Sequence, residues 1–248
     1  MITKNILILL VVLSFSIAHT CNYLSYYARI SGTSIGYPLV GTSLSKLLEG
    51  GSFASLLIFL PAMSYLVDGS LIEIKSFIYM FIMCFVLSMT LMTLIFFFKK
   101  KIIEILSKIL IIHIKNKKNI IISFFYYWKV NFKYNNHKLY KHKFIIHKKV
   151  LILSIIAFCS LSSGFMISYS LAIYYTDFRL TISSLALYIH ALGQALLLVF
   201  IDPKLNNSID KMKTKNDYSV AVINTFFCSR IISLILLLLI SLIIILFI

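Results

Sequence analysis

The sequence predicts an all-α protein that crosses a membrane several times, and three observations point there. Of 248 residues, 60% are hydrophobic and 13% are charged, with a mean hydropathy of +0.95; a soluble domain carries roughly 25% charged residues. Apolar runs recur along the chain, each near the roughly 20 residues that a helix needs to cross hydrocarbon. Between the runs lie islands of lysine. An ordinary cytosolic enzyme is excluded by this pattern.

Six spans fit best, over 3–25, 37–67, 77–98, 150–174, 180–201 and 219–247; four and seven are the other counts the runs allow. The first follows Lys4 and runs apolar from Ile6 to Ala18, imitating a signal peptide whose Ala18-His19-Thr20-Cys21 would be a weak processing site. Later runs are just as hydrophobic, so it is expected to stay as a membrane helix. In the second span Lys46, Glu49 and the Gly50-Gly51 pair precede an apolar stretch broken by Pro61. That order is expected of a bent or partly unwound helix facing protein, because freed backbone groups in lipid need partners. In the fifth, His190 and Gln194 are four apart and share a face, and Gly193 permits a close neighbour. Asp202-Pro203 is expected to close it, since proline disfavours helical backbone at the preceding residue. Arg230 enters the sixth span, where snorkelling to the inner face would explain it.

The spans divide the chain into a three-span region 1–98, a basic segment 99–149 and a second three-span region 150–248. The basic segment holds 14 lysines and is expected to be cytoplasmic. Residues 202–218 add Lys204, Lys211, Lys213 and Lys215, and two spans place them on the same side. Within 102–112 the polar residues Glu104, Ser107 and Lys108 suggest an amphipathic helix along the inner interface. The aromatic run Phe124, Phe125, Tyr126, Tyr127 and Trp128 suits headgroup level. This segment reads equally as a grip on anionic membrane lipids or as a solvated basic loop. The net charge of +16 fits such lipids and the inside-positive bias of loops, so no nucleic-acid partner is expected.

Chemistry has few candidates. Cys21, Cys84, Cys159 and Cys228 lie far apart without a CxxC pair, so neither a disulfide framework nor a metal is expected. The chain lacks a Walker-type glycine loop, a His-Glu-x-x-His helix and a persuasive Ser/His/Asp spacing. With eight carboxylates in all, acid-base chemistry is poorly provided for; the expectation is a non-enzyme without cofactor that binds and moves an amphipathic molecule. Polar residues in or beside spans are expensive, which singles out His19, Arg29, Lys46, Glu49, Gln194 and Arg230. Lys46 and Glu49, three apart, can pair on one helical face. Asp177 and Arg179 share the tight outer turn, where they can meet a polar headgroup or each other.

These landmarks resemble the Amj family, the alternate lipid II flippases of bacterial cell-wall synthesis. The similarity lies in His19-Thr20 and Tyr26-Tyr27-Ala28-Arg29-Ile30-Ser31-Gly32 near the start. Later it lies in Tyr174-Tyr175-Thr176-Asp177-Phe178-Arg179 and in Phe200-Ile201-Asp202-Pro203. It covers about two thirds of the chain. It implies outward movement of lipid II, the undecaprenyl-pyrophosphate-linked disaccharide pentapeptide, across the bacterial cytoplasmic membrane. Cell-wall synthesis proteins are the further partners it implies. Arg29 then becomes the pyrophosphate contact, His19 stands near the path, and Asp177 and Arg179 mark the outer exit. The chain departs from the family pattern at Lys46-Leu47-Leu48-Glu49-Gly50-Gly51 and in its very basic 99–149 segment. From the residues alone, a transporter of another polyprenyl lipid or a phospholipid, a lipid-modifying enzyme and a scaffold for wall synthesis stay open.

Overall fold

A computed structural model describes residues 2–116, 119–126, 146–211 and 217–247. Among them the regular structure is helical throughout, and six helices are long and apolar enough to cross a membrane. The chain is a multi-pass, all-α membrane protein.

Helix α1 (Ile2–Ile35) runs ten residues beyond the expected end of the first span. Its continuation, Tyr26 to Ile35, stays helical because one side remains apolar and buried: Tyr27, Ala28 and Ile30 are almost inaccessible. Gly36, at φ 90°, ends it in the left-handed region that favours glycine, and Pro38 opens α2 (Pro38–Asp68), where its missing N–H is harmless. The expectation of an unwound second span is corrected: α2 is unbroken through Gly50, Gly51 and Pro61. No loop is opened there, and Gly51 faces Cys21 of α1, where a Cβ would make an ordinary contact at 3.6 Å with Sγ.

After α3 (Ile74–Phe97), a single turn at Phe98 leads into α4 (Lys99–Asn116), then α5 (Ile120–Tyr126). The amphipathic helix expected near 102–112 exists, but its apolar stripe is covered by protein. Ile103, Leu106, Ile109 and Leu110 are buried, with the helix packed on α1 and α5. Ser107, assigned to the polar face, is also buried, 3.4 Å from the Ser34 hydroxyl of α1; Glu104 and Lys108 form the outward pair at 2.8 Å. Side chains of Phe124, Phe125 and Tyr126, together with Tyr127, Trp128 and the lysines at 117, 118, 129–143, 213 and 215, lie outside the described residues.

Helix α6 (Lys148–Tyr174) is followed by a 3-10 turn (Thr176–Phe178), α7 (Arg179–Leu196), a π turn (Leu197–Ile201), α8 (Asp202–Asp210) and α9 (Asp217–Phe247). The expected stop at Asp202-Pro203 is corrected, because the helical course continues to Asp210 and Asp202 itself is helical. Proline removes one N–H and crowds the carbonyl four residues back; the wider π turn just before it absorbs that conflict.

Neighbouring helices pack in the series α2, α1, α3, α9, α6, α7. Aromatic rings fill the seams: Phe15 meets Phe59, Phe81 and Phe85, while Tyr27 stacks on Phe227 at 4.2 Å. Two seams are closed through glycine. A Cβ on Gly32 would fall 2.4 Å from Gly41 Cα, and one on Gly193 would fall 2.8 Å from Ala157 O and Leu161 N. The basic ends of the helices lie together, as shown by Ser31 on Ile103 O, Lys99 on Asn224 Oδ1 and the His147 N–H on Thr225.

Candidate functional site

The two ends of the series, α2 and the α7–α8 unit, leave a cavity of about 460 Å³ between them at the basic end, with α1 as its back wall. Arg29 and Thr33 come from α1, Lys46 from α2, and Leu198, Asp202 and Asn206 from the π turn and α8. The site exists because α1 continues past its expected end and because the helix after Pro203 does the same.

Arg29 holds three elements together. Its Nε donates to Ser45 Oγ at 3.0 Å, Nη1 to Asn206 Oδ1 at 2.9 Å and Nη2 to Glu49 Oε1 at 2.8 Å. Glu49 also takes Lys46 Nζ at 2.6 Å through its other oxygen, and accepts from Ser45. The three-residue spacing of Lys46 and Glu49 therefore does bring them onto one face. The side chains of Arg29 and Glu49 retain 13% and 20% exposure, so the pair is shielded yet reachable. Tyr26 lies beneath the guanidinium, with 5.2 Å from Cζ to the ring centroid, and donates its hydroxyl to Asp202 Oδ1 at 3.1 Å. One carboxylate and two neutral acceptors thus hold a planar, five-donor group of a kind suited to bidentate binding of a phosphoryl oxygen pair, with Asp202 a second carboxylate on the cavity wall.

Of the residues singled out in the sequence, the fold gathers Arg29, Lys46 and Glu49 here and places the others elsewhere. His19 lies about 15 Å along α1 from Arg29, ten residues away at 1.5 Å each, against the Phe15 ring at 4.2 Å. His190 reaches Leu161 O at 3.0 Å, a contact within the α6–α7 seam. Arg179 is at the opposite end of the bundle. Its Nη1 spans Val67 O, Asp68 O and Ser70 Oγ at 2.9, 2.9 and 3.1 Å, ending α2 with a positive charge on its last carbonyls. Asp177 is exposed and forms no ion pair with Arg179 among the described residues.

Arg230 needs a correction. Rather than snorkelling to the inner face it is 3% exposed, inside the bundle, bonded to Asn22 Oδ1 at 2.9 Å. Charged residues at mid-membrane cost about 2.5–3.5 kcal/mol on insertion scales, so the burial is not incidental. Asp202 and Asn206 carry no binding signal in the sequence, where Asp202-Pro203 suggests only a helix end. Spacing offered a usable signal on α1: His19, Asn22, Tyr26, Arg29 and Thr33 follow one another by three, four, three and four residues, a single polar stripe.

Among known proteins, no family model, curated protein or solved structure matches the chain.

Proposed function

We propose that this protein moves lipid II from the cytoplasmic to the outer leaflet of a bacterial membrane, with Arg29 as the residue that first holds its pyrophosphate. The observation that carries this reading is the Arg29 cluster: a shielded guanidinium at the basic end, bound to a carboxylate that is itself shared with Lys46. A pyrophosphate entering between α2 and α8 replaces Glu49 on Arg29, and Lys46 keeps Glu49 charge-balanced. Such an exchange needs little desolvation, because one anion substitutes for another on a cation already removed from bulk water.

The cavity is smaller than a disaccharide pentapeptide. It receives the pyrophosphate, while sugar and peptide stay in cytoplasmic water and the polyprenyl chain stays in lipid beside the exposed apolar face of α7. At the other end the Arg179 clamp on α2 is the closed counterpart of this opening. Outward transfer requires the Arg29 ties to loosen as the clamp releases, the usual logic of alternating access. A potential that is positive outside favours the passage of an anion by about 2.3 kcal/mol per charge per 100 mV. The guanidinium recognises phosphate rather than sugar, so export of another polyprenyl-pyrophosphate lipid is the second reading this geometry favours.

The test is the appearance of labelled lipid II on the outer face of cells whose known flippases are switched off. The intact chain is expected to restore it, and Arg29→Ala, at equal membrane level, is expected to restore none. Restoration by Arg29→Ala would remove Arg29 from the mechanism. No restoration by the intact chain would remove lipid II as the substrate.

A further inference from the structure

Arg29 is not the only arginine placed to meet an anion. Arg230 lies near the middle of α9, about 20 Å along its axis from the helix start at 1.5 Å per residue. Its guanidinium is held by neutral groups: the Asn22 amide oxygen at 2.9 Å, the Phe158 ring at 4.6 Å and the Tyr23 ring at 6.0 Å. Its Nε has no hydrogen-bond partner, and no described carboxylate forms an ion pair with it. Guanidinium is a cation at any physiological pH. Charges buried in a membrane are ordinarily matched by an opposite charge in contact on a neighbouring helix; here the one carboxylate that acts on Arg230, Asp202, does so through space while bonded to Tyr26, and no described carboxylate touches the guanidinium.

The position of Arg230 gives this a direction. The polar stripe on α1 starts in the cavity with Thr33 and Arg29, passes Tyr26, and reaches Asn22, which carries Arg230. Asn22 and His19 retain accessible surface although they lie midway along α1, and His19 stands within electrostatic reach of Arg230. Between the two arginines the route is aromatic: Arg29 rests on Tyr26, Tyr26 on Phe226 at 4.6 Å, Phe226 on Phe158 at 5.3 Å, and Phe158 on Arg230. Aromatic faces hold a cation in place without neutralising it. The cavity ends at Arg29, and Tyr26 and Arg230 beyond it are 5% and 3% exposed, so passage along the stripe requires α1 and α9 to part; Arg230 is then the next cation on it.

We propose that Arg230 is a second anion site, at mid-depth in the membrane, which takes the phosphoryl headgroup of an anionic lipid after it leaves Arg29. The proposal rests on reading the chain as a lipid translocator and adds a second station to it. A structural tie and an anion site make opposite demands on one substitution, Asn22→Asp. The change is nearly isosteric and places a carboxylate where Arg230 now has an amide oxygen. As a structural tie, the contact would be strengthened; as an anion site, it would be occupied by the chain's own anion.

The experiment uses the full chain in liposomes and follows movement of three fluorescent lipids: a polyprenyl pyrophosphate, phosphatidylglycerol and zwitterionic phosphatidylcholine. Asn22→Asp is expected to melt no lower than wild type and to move the anionic lipid at least tenfold more slowly. Arg230→Gln is expected to lose that movement, and Arg230→Lys to retain part of it. Anionic movement at the wild-type rate in folded Asn22→Asp or Arg230→Gln overturns the second site. If Asn22→Asp does not fold, the Arg230→Lys and Arg230→Gln pair decides, and misfolding of all three assigns Arg230 to structure and overturns the proposal. Wild-type movement of phosphatidylglycerol but not of the pyrophosphate would end the lipid II reading while leaving Arg230 to be judged by the same variants. Phosphatidylcholine moving as fast as the anions, or no lipid moving, overturns both.

Discussion

Gly32 and Gly41 bring α1 and α2 into backbone contact one turn from Arg29, and Gly32→Ala tests whether that contact sets the site. The added methyl would lie 2.4 Å from Gly41 Cα, 2.7 Å from Gly41 N and 2.9 Å from Tyr37 O. Carbon atoms rest at roughly 3.5–4.0 Å, so the helices must part by about 1 Å or more. All three contacts are backbone atoms, and no rotamer change can relieve them. Arg29 Nη2 reaches Glu49 at 2.8 Å; a further separation of about 1 Å takes it beyond hydrogen-bond range. Overpacking costs about 1–3 kcal/mol, and loss of a partly exposed ion pair adds under about 1 kcal/mol. For a chain of this length that total of about 1–4 kcal/mol lowers the melting temperature by roughly 2–16 °C. Thermal unfolding of the purified protein is the assay, with binding of a fluorescent polyprenyl pyrophosphate in nanodiscs as a second readout. Gly50→Ala is the control, because a methyl there meets nothing within 4 Å; at a compatible helical site it is expected to be neutral or to stabilise by up to about 1 kcal/mol. Gly32→Ala melting no lower than Gly50→Ala would refute the argument that backbone contact holds α1 against α2.

Three further outcomes are expected. Glu49→Gln removes the carboxylate that occupies Arg29 and leaves a largely buried guanidinium without its counter-charge, so it is expected to destabilise by about 1–3 kcal/mol while the pyrophosphate probe binds several-fold more tightly; weaker binding would show that Glu49 helps hold the headgroup instead of yielding to it. Arg179→Ala takes the cation off the last carbonyls of α2, worth about 1 kcal/mol, and hydrogen exchange over 66–71 is expected to accelerate while exchange at the basic end does not; unchanged exchange would dismiss the clamp. Gly193→Ala, with its methyl 2.8 Å from two backbone atoms, is expected to destabilise by about 1–3 kcal/mol, more than Gly164→Ala, whose nearest neighbour is at 3.1 Å. Equal melting of these two variants would mean that the α6–α7 seam gives way more easily than its geometry implies.

The fold is most legible in the sequence where one residue type acts alone over a long window. Apolar runs near membrane length located all six spans to within a few residues at most ends, and Gly193 and the Lys46–Glu49 spacing foretold local contacts. The fold is least legible where two segments compete for one surface. Ser107 looks polar in its own helix, yet its partner is Ser34, 73 positions away. Pro203 looks like a helix end, yet a π turn upstream lets the helix continue. Arg230 near an inner boundary looks ready to snorkel, yet Asn22 on α1 receives it inside.

By itself the sequence determined that the chain crosses a membrane several times and that its lysines gather between the apolar runs; the structure decided among the span counts in favour of six. The crossing and the placing of lysines follow from hydrophobicity and charge summed over about 20 residues, which no later contact reverses. The tertiary structure decided which polar residues meet: Arg29 with Glu49 and Asn206, Tyr26 with Asp202, Arg230 with Asn22. Each of those contacts joins different helices, so it depends on the rotation and crossing of both. Rotation and crossing are set in turn by glycine seams and aromatic packing spread over the whole bundle.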